Sequence, residues 1–500
     1  MRPPVRLLAF VLAVACLQAA PTSTGRSMAP IEQEPADLVP VAVPREMRGM
    51  WVATVSNLDF PSRQGLPAET QQAELATLVE TASSLGLNAL VFQVRPEADA
   101  LYASRLEPWS RFLTGRQGVD PGFDPLAYLV ATAHARGLEV HAWFNPYRAA
   151  TSRSAALAEG HLARRVASAV RAWGSLLWLD PGVPEIRDHA LAVVGDVVDR
   201  YDVDGIHLDD YFYPYPERGR VFQDDASYAA YLASGGGLER DAWRRENVDL
   251  LVEGLATTVR ARRPEVRFGV SPFGIYRPGF PEGMRGIDQV RSLHADPLVW
   301  YGEGWVDYLA PQLYWPTSVS PHRFEPLLGW WNEQVVPDRP LLVGLDLTKV
   351  GTDPAWTLAE LRTQVALARA ESTTGGQIWF RASPVLADRA GLAGLFRELY
   401  AEPALPPALP RAADSDVLPP EIEVDGTTLL VSHPDPDALR ALVLYRATTE
   451  GFEAERILPA HTTSVQTVAG TWALSAVDRY GVESDGIRVV TRAGDPPAAL

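Results

Sequence analysis

Five hundred residues exceed one ordinary domain, and 47% hydrophobic with 21% charged side chains supply material for a large folded core. The excess of 62 acidic over 45 basic side chains, a net charge of −17, argues against a nucleic-acid partner, which needs a basic face, but sets no limit on neutral ligands such as sugars. A single cysteine, Cys16, rules out an intramolecular disulfide.

Arg2 and Arg6 form a short basic start, and 7–15 is an apolar run too short to span a bilayer. Residues 1–16 therefore read as an export signal. The stretch Leu12-Ala13-Val14-Ala15-Cys16 resembles a bacterial lipobox, with Ala13 where Leu is usual, and makes Cys16 the candidate lipidation site. Ala13 and Ala15 also satisfy the small-x-small rule of ordinary signal peptidase, so lipidated and freely secreted products both fit. Both are exported, and a membrane would be met only through the lipid. Residues 17–44, rich in Pro, Ser, Thr and acids, read as a tether.

From 45 to 400 short apolar strands alternate with helical patterns. Eight strands are predicted: 48–55, 89–95, 139–145, 205–211, 267–273, 308–315, 341–347 and 377–381. Helices are expected at 69–85 and 126–136, stopped by Gly86 and Gly137, and at 357–369. The fold class is α/β, a (β/α)8 barrel. An open doubly wound sheet would show a Gly-rich phosphate turn at its switch point, and none is seen. A Pro-rich linker follows at 401–420. Six strand-like runs from 421 to 492 suggest a small all-β sandwich, and Trp472 to Asp485 (WALSAVDRYGVESD) resembles the late strands of fibronectin type III domains.

Barrel enzymes work at the C-terminal ends of their strands, and alternation sorts mouth-facing from helix-facing residues. In strand four, GIHLDDYFYP, His207, Asp209 and Tyr211 share the inward parity. A carboxylate placed there costs desolvation, which points to function for Asp209. Its neighbour Asp210 has the opposite parity and serves as cap or partner. Two nearby acids can divide acid and base roles, as glycoside hydrolysis requires. Adjacent residues are seldom the opposed pair, so Glu97 and Asp99, on the loop after strand two, are further candidates for the acid. Arg95, Asn145, Arg148, His207, Tyr211, Gln312, Tyr314, Trp315 and Arg381 are candidates to position a sugar.

Metal chemistry has less support. The nine histidines are scattered, although His141 and His207 share inward parity on adjacent strands. No Gly-x-Ser-x-Gly elbow or P-loop is present, and no cofactor is implied.

The segments 45–62 (REMRGMWVATVSNLDFPS), 92–102 (FQVRPEADALY), 141–148 (HAWFNPYR), 205–214 (GIHLDDYFYP), 243–251 (WRRENVDLL) and 311–315 (PQLYW) together resemble the glycosyl hydrolase-like family 10 of bacterial exported barrels. The resemblance implies hydrolysis of glycosidic bonds in cell-wall polysaccharide, including peptidoglycan strands stripped of peptides. It places Asp209 at the strand-four carboxylate of many barrel glycosidases. Some of those carry Arg where this chain has His207, and many supply a strand-five Glu that this chain lacks. The missing acid motivates a second reading, a non-catalytic glycan-binding barrel. A deacetylase or other metal-dependent carbohydrate enzyme is a third.

Overall fold

The computed structural model describes residues 38–318, 322–411 and 415–492. Cys16, the expected export signal and most of the expected tether lie outside them. Eight parallel strands close into a barrel: β1 (Met47–Val52), β2 (Ala89–Arg95), β3 (Glu139–Phe144), β4 (Gly205–Leu208), β5 (Arg267–Val270), β6 (Tyr308–Leu309), β7 (Leu341–Asp346) and β8 (Thr374–Phe380). Each neighbours the next in sequence, and β8 pairs with β1. All eight predicted strands are present. β4, β5 and β6 are shorter than predicted because their last residues leave the ladder to form the mouth.

The helices follow from local chemistry. Asp124 accepts the Ala127 N–H at the start of Pro125–His134, with Pro125 in the first turn, where its missing N–H costs nothing. Thr357 caps Leu358–Ala370 through the Glu360 N–H. Gly86 and Gly137 follow their helices at φ +74° and +73°, a conformation that disfavours a Cβ.

Two apolar layers flank the strands. Leu90, Phe92, Val140, Ile206 and Phe268 face the helices. Trp51, Ala89, Val91, Trp143, Tyr308 and Ile378 fill the barrel interior. Gly205 and Gly269 make that interior possible. A Cβ at Gly205 would lie 2.6 Å from the His141 ring, and one at Gly269 would lie 2.1 Å from the Tyr308 ring.

The C-terminal region has two antiparallel sheets. Glu421–Asp425, Thr428–Ser432 and Ser464–Gln466 form one. The other joins Leu38–Val39, Gly486–Thr491, Gly470–Asp478, Leu439–Ala447 and Phe452–Pro459. Leu429, Val431, Leu442, Leu444, Trp472 and Leu474 pack in one cluster drawn from both sheets. Two features depart from expectation. Residues 38–44, read as tether, contribute an edge strand and the buried Val43. The Pro-rich stretch is also packed: Leu405 exchanges backbone bonds with Pro44 and Glu46, and Leu409 donates its N–H to Tyr480. Arg411 pairs with Asp307 and Arg440 with Asp204, just before β6 and β4, so this region is fastened to the N-terminal ends of the strands, away from the mouth.

Candidate active site

At the C-terminal ends of the strands lies a cavity of about 240 Å³. Trp51 and Ala53 come from β1 and its end, Gln93 from β2, Trp143 from β3, and Phe380 from β8. The loops after β3 to β6 add Arg148, Asp209, Asp210, Tyr211, Tyr215, Ser271, Gln312 and Tyr314. A second cavity, of about 510 Å³, opens at the opposite end, at the starts of β1 and β8. There Glu46 is already bound by Arg48 and Arg369. Barrel chemistry belongs at the other face, where Asp209 and Asp210 lie.

Asp209 and Asp210 are both buried, 7% and 2% exposed. Their surroundings differ. The Asn145 amide Nδ2 donates to both Asp209 oxygens, at 2.8 and 2.7 Å, and the Tyr211 N–H donates to Oδ1 at 3.2 Å. Asn145 is itself fixed: its Oδ1 accepts from Gln93 Nε2 at 2.5 Å and from Arg148 at 2.7 Å. Gln93 Oε1 in turn accepts the Thr54 and Val55 N–H groups after β1. Burial raises the Asp209 pKa, while Arg148 and Asn145 oppose the rise. Asp210 accepts the Tyr215 hydroxyl. Burial, and then the charge of Asp209, push its pKa up to about 7. The dyad therefore holds an exchangeable proton near neutral pH, with one member tied to donors and the other beside a phenol.

The walls are aromatic. Tyr314 stacks on Phe380 with centroids 5.7 Å apart, and Phe380 meets Trp51 edge-on. Arg148 lies over the Tyr211 ring at 5.2 Å. The Trp143 indole N–H is near enough to Asp209 to favour its charge, yet it is buried without hydrogen-bond geometry to any described acceptor.

Of the residues singled out from sequence, Asp209, Asp210, Arg148, Tyr211, Gln312 and Tyr314 line the cavity, and Asn145 stands directly behind Asp209. The others do not reach it. Glu97 is bound by an Arg111 fork at 2.8 and 3.1 Å and by Thr151. Asp99 accepts from Gln117 and from the Glu97 N–H under the same loop. Neither is placed to act as the acid. Arg95 is sequestered by Glu107. His207 is fully buried below the cavity, its ring nitrogens engaged by Trp51, Tyr308 and Ser271. Trp315 packs on Phe273 and His322, and Arg381 pairs with Asp59.

His141 and His207 share the Tyr308 hydroxyl, at 3.0 and 2.9 Å, and His141 also contacts Glu139. These are structural contacts. Among the described residues no cluster of three or more His, Cys, Asp or Glu side chains could hold a metal ion.

Sequence reasoning missed Trp51, Tyr215 and Phe380 as site residues. In strand eight Trp379 faces the helices, donating to Tyr400, while Phe380 pairs in register with Trp51 and faces the cavity. Register with β1 was the signal that a single strand could not supply. Tyr215 lies in the loop after β4, where alternation no longer applies.

The glycosyl hydrolase-like 10 family matches residues 46–358. Glycosyl hydrolase YngK of Bacillus subtilis (strain 168) is 39% identical over 379 residues, covering 73% of this chain and 74% of that protein. Glycosyl hydrolase DigH of Escherichia coli (strain K12) is 35% identical over 412 residues, covering 76% and 92%. Among solved structures, the glycoside hydrolase domain of PgaB (BpsB) from Bordetella bronchiseptica superimposes with a TM-score of 0.48 at 14% identity, covering 71% of this chain and 99% of that one. With the family matched over more than half its length, this chain belongs to the glycosyl hydrolase-like 10 family and is a glycoside hydrolase.

Proposed function

We propose that the protein is an exported hydrolase that cleaves glycan strands of the cell envelope, namely peptidoglycan from which stem peptides have been removed. The observation that carries this reading is the Asp209–Asp210 dyad at the floor of an aromatic cavity at the mouth of the barrel. Asp210 donates its proton to the leaving glycosidic oxygen. Asp209, tied to Asn145 and faced by Arg148, stays charged beside the anomeric carbon, where positive charge develops. Aromatic rings cover the apolar faces of the sugar.

The basic and apolar start of the chain supports export, and the lipobox-like stretch before Cys16 supports a lipid anchor at the envelope. The two-sheet C-terminal region, with the WALSAVDRYGVESD stretch in its five-stranded sheet, supports the assignment of a fibronectin type III-like module there.

The test is mass analysis of products from purified peptidoglycan, with and without prior removal of stem peptides. Cleavage of stripped strands and sparing of intact ones is expected, and Asp209→Asn should abolish turnover while folding and glycan retention persist. Retention on peptidoglycan with no reducing ends released by the wild type would favour a glycan-binding barrel instead. Loss of activity on chelation would favour the metal-dependent reading.

A further inference from the structure

Hydrolysis at an anomeric centre needs more than a proton donor. Glycosidases usually place a second carboxylate across the sugar, about 5–5.5 Å from the first in retaining enzymes and about 6.5–9.5 Å in inverting ones. Among the described residues lining this cavity, Asp209 and Asp210 are the only carboxylates, and they are consecutive residues leaving one strand. The surfaces contributed by β1 and β8 offer Trp51, Ala53, Val55, Leu58 and Phe380, none of which is a base. The nearby acids are occupied elsewhere. Asp59 accepts from Arg381, Ala53 and Ser383, and Asp346 accepts from the Thr348 N–H and hydroxyl. Tyr314 is no substitute, because burial drives its phenol well above its usual range.

Resting on the glycosidase reading above, we propose that the missing nucleophile is the carbonyl oxygen of the substrate's own 2-acetamido group, so that the enzyme is specific for 2-acetamido sugars at the bond it cleaves and retains anomeric configuration.

Three observations fit the substituent. A carboxylate offers roughly four lone-pair sites. On Asp209 one site of each oxygen is used by Asn145 and a further Oδ1 site by Tyr211, which leaves Oδ2 with a site for the acetamido N–H. The Trp143 N–H, buried beside Asp209 without good hydrogen-bond geometry to it, can turn to a polar atom of the same substituent. Trp51, Ala53, Trp143 and Phe380 provide apolar surface for its methyl group. The cavity is small, about 240 Å³, below the roughly 300–1,000 Å³ usual for ligand pockets, which limits how much of the glycan it encloses.

The electron balance closes without any other reagent. The acetamido oxygen lone pair forms a bond to C1 as the C1–O bond to the leaving sugar breaks. That electron pair passes to the leaving oxygen, which takes the Asp210 proton. The cyclic oxazolinium cation keeps its N–H, directed at the Asp209 carboxylate. In the second half, Asp210 takes a proton from water as the water oxygen attacks C1. The C1–O bond to the amide breaks, its electrons restore the carbonyl, and Asp210 is protonated again. One glycosidic bond and one water become two hydroxyl groups. Both displacements occur at C1 from opposite faces, so configuration is retained.

The experiment uses the full chain and three glycans: peptide-free peptidoglycan strands, the same strands de-N-acetylated, and those strands re-acylated with trifluoroacetyl. Native strands should yield new reducing ends that first appear by NMR in the anomeric form of the cleaved bond. Loss of the intramolecular nucleophile should slow the de-N-acetylated strands by roughly 10³-fold or more in kcat/KM. Trifluoroacetyl strands should bind with similar KM but lose kcat, because fluorine withdraws electrons from the attacking oxygen while nearly keeping its shape. An inverted product, equal kcat on acetyl and trifluoroacetyl strands, or a covalent sugar on Asp209 detected by mass spectrometry would overturn the inference and leave the glycosidase reading standing. Failure to cleave any of the three would remove both.

Discussion

The Asn145 side chain donates a single amide nitrogen to both oxygens of Asp209, at 2.8 and 2.7 Å, while its carbonyl oxygen receives Gln93 and Arg148. One neutral residue thus fixes the orientation of the charged member of the dyad and links it to three strands. Asn145→Ala frees that carboxylate and leaves Gln93 and Arg148 without their shared acceptor. The expected loss is about 10²-fold in kcat on peptide-free glycan, comparable to removing one preorganised donor from an active site. Reducing-end release measures it, with circular dichroism as a control for folding. An unchanged kcat would mean that the orientation of Asp209 is not used.

The dyad sets the pH profile. Asp210 must carry a proton to protonate the leaving oxygen, and its pKa is raised to about 7, so kcat/KM should fall as pH rises through that value. Acid should also inactivate the enzyme, as Asp209 becomes protonated. Part of the rise at Asp210 comes from the neighbouring charge. In Asp209→Asn that charge is gone, and the Asp210 titration should move to lower pH. Difference infrared spectroscopy of the carboxyl band can follow this in the inactive variant. A titration that stays in place or moves up would show that the two groups do not couple.

Arg95 was expected to bind sugar and instead organises the residue that does the holding. Its guanidinium grips Glu107 at 2.8 and 2.5 Å, and its remaining nitrogen donates to the Asn145 and Pro146 carbonyls at 2.7 and 3.0 Å. Burial would raise the Glu107 pKa, but Arg95 and His189 hold it at about 2. Lysine cannot reproduce this fork. Arg95→Lys should lower kcat roughly tenfold with little change in KM, because the turn carrying Asn145 loosens without touching the cavity wall. Glu107→Gln strands a buried guanidinium and should cost about 3–5 kcal/mol of stability. Chemical denaturation and steady-state kinetics on the two variants separate these effects.

The barrel was legible because its strands are continuous apolar runs and two of its helices stop at Gly86 and Gly137, both local properties. Alternation also pointed Asp209 to the mouth, where it lies one residue beyond β4 and lines the cavity. It failed wherever the identity of a partner decided the outcome. Arg95, Glu97 and Arg381 have the residue types of a sugar pocket, but Glu107, Arg111 and Asp59 claim them first. His207 has inward parity yet lies a layer too deep, locked to Trp51 and Tyr308. The C-terminal region has seven strands where six runs were expected; the seventh, Phe452–Pro459, has its alternation diluted by Glu453, Glu455 and Arg456, acceptable on the outermost strand of a sheet.

Asp99 gives a test that separates buried acids by role. It is buried, its Oδ2 accepting from Gln117 at 2.9 Å, and burial with the nearby Glu97 charge raises its pKa to about 7. In the unfolded chain an aspartate titrates near about 3.9. Between those values the folded protein keeps a proton that the unfolded chain releases. Stability should therefore fall as pH rises from about 4 to about 7, with the loss complete above it. Asp99→Asn has no proton to lose and can keep the Gln117 contact if that amide turns over. Its Tm should decline less across this range and exceed that of the wild type above pH 7, while kcat is unchanged because Asp99 does not line the cavity. Parallel Tm curves for the two proteins would mean that Asp99 is ionised in the fold. A fall in kcat would instead place the loop after β2 in the reaction.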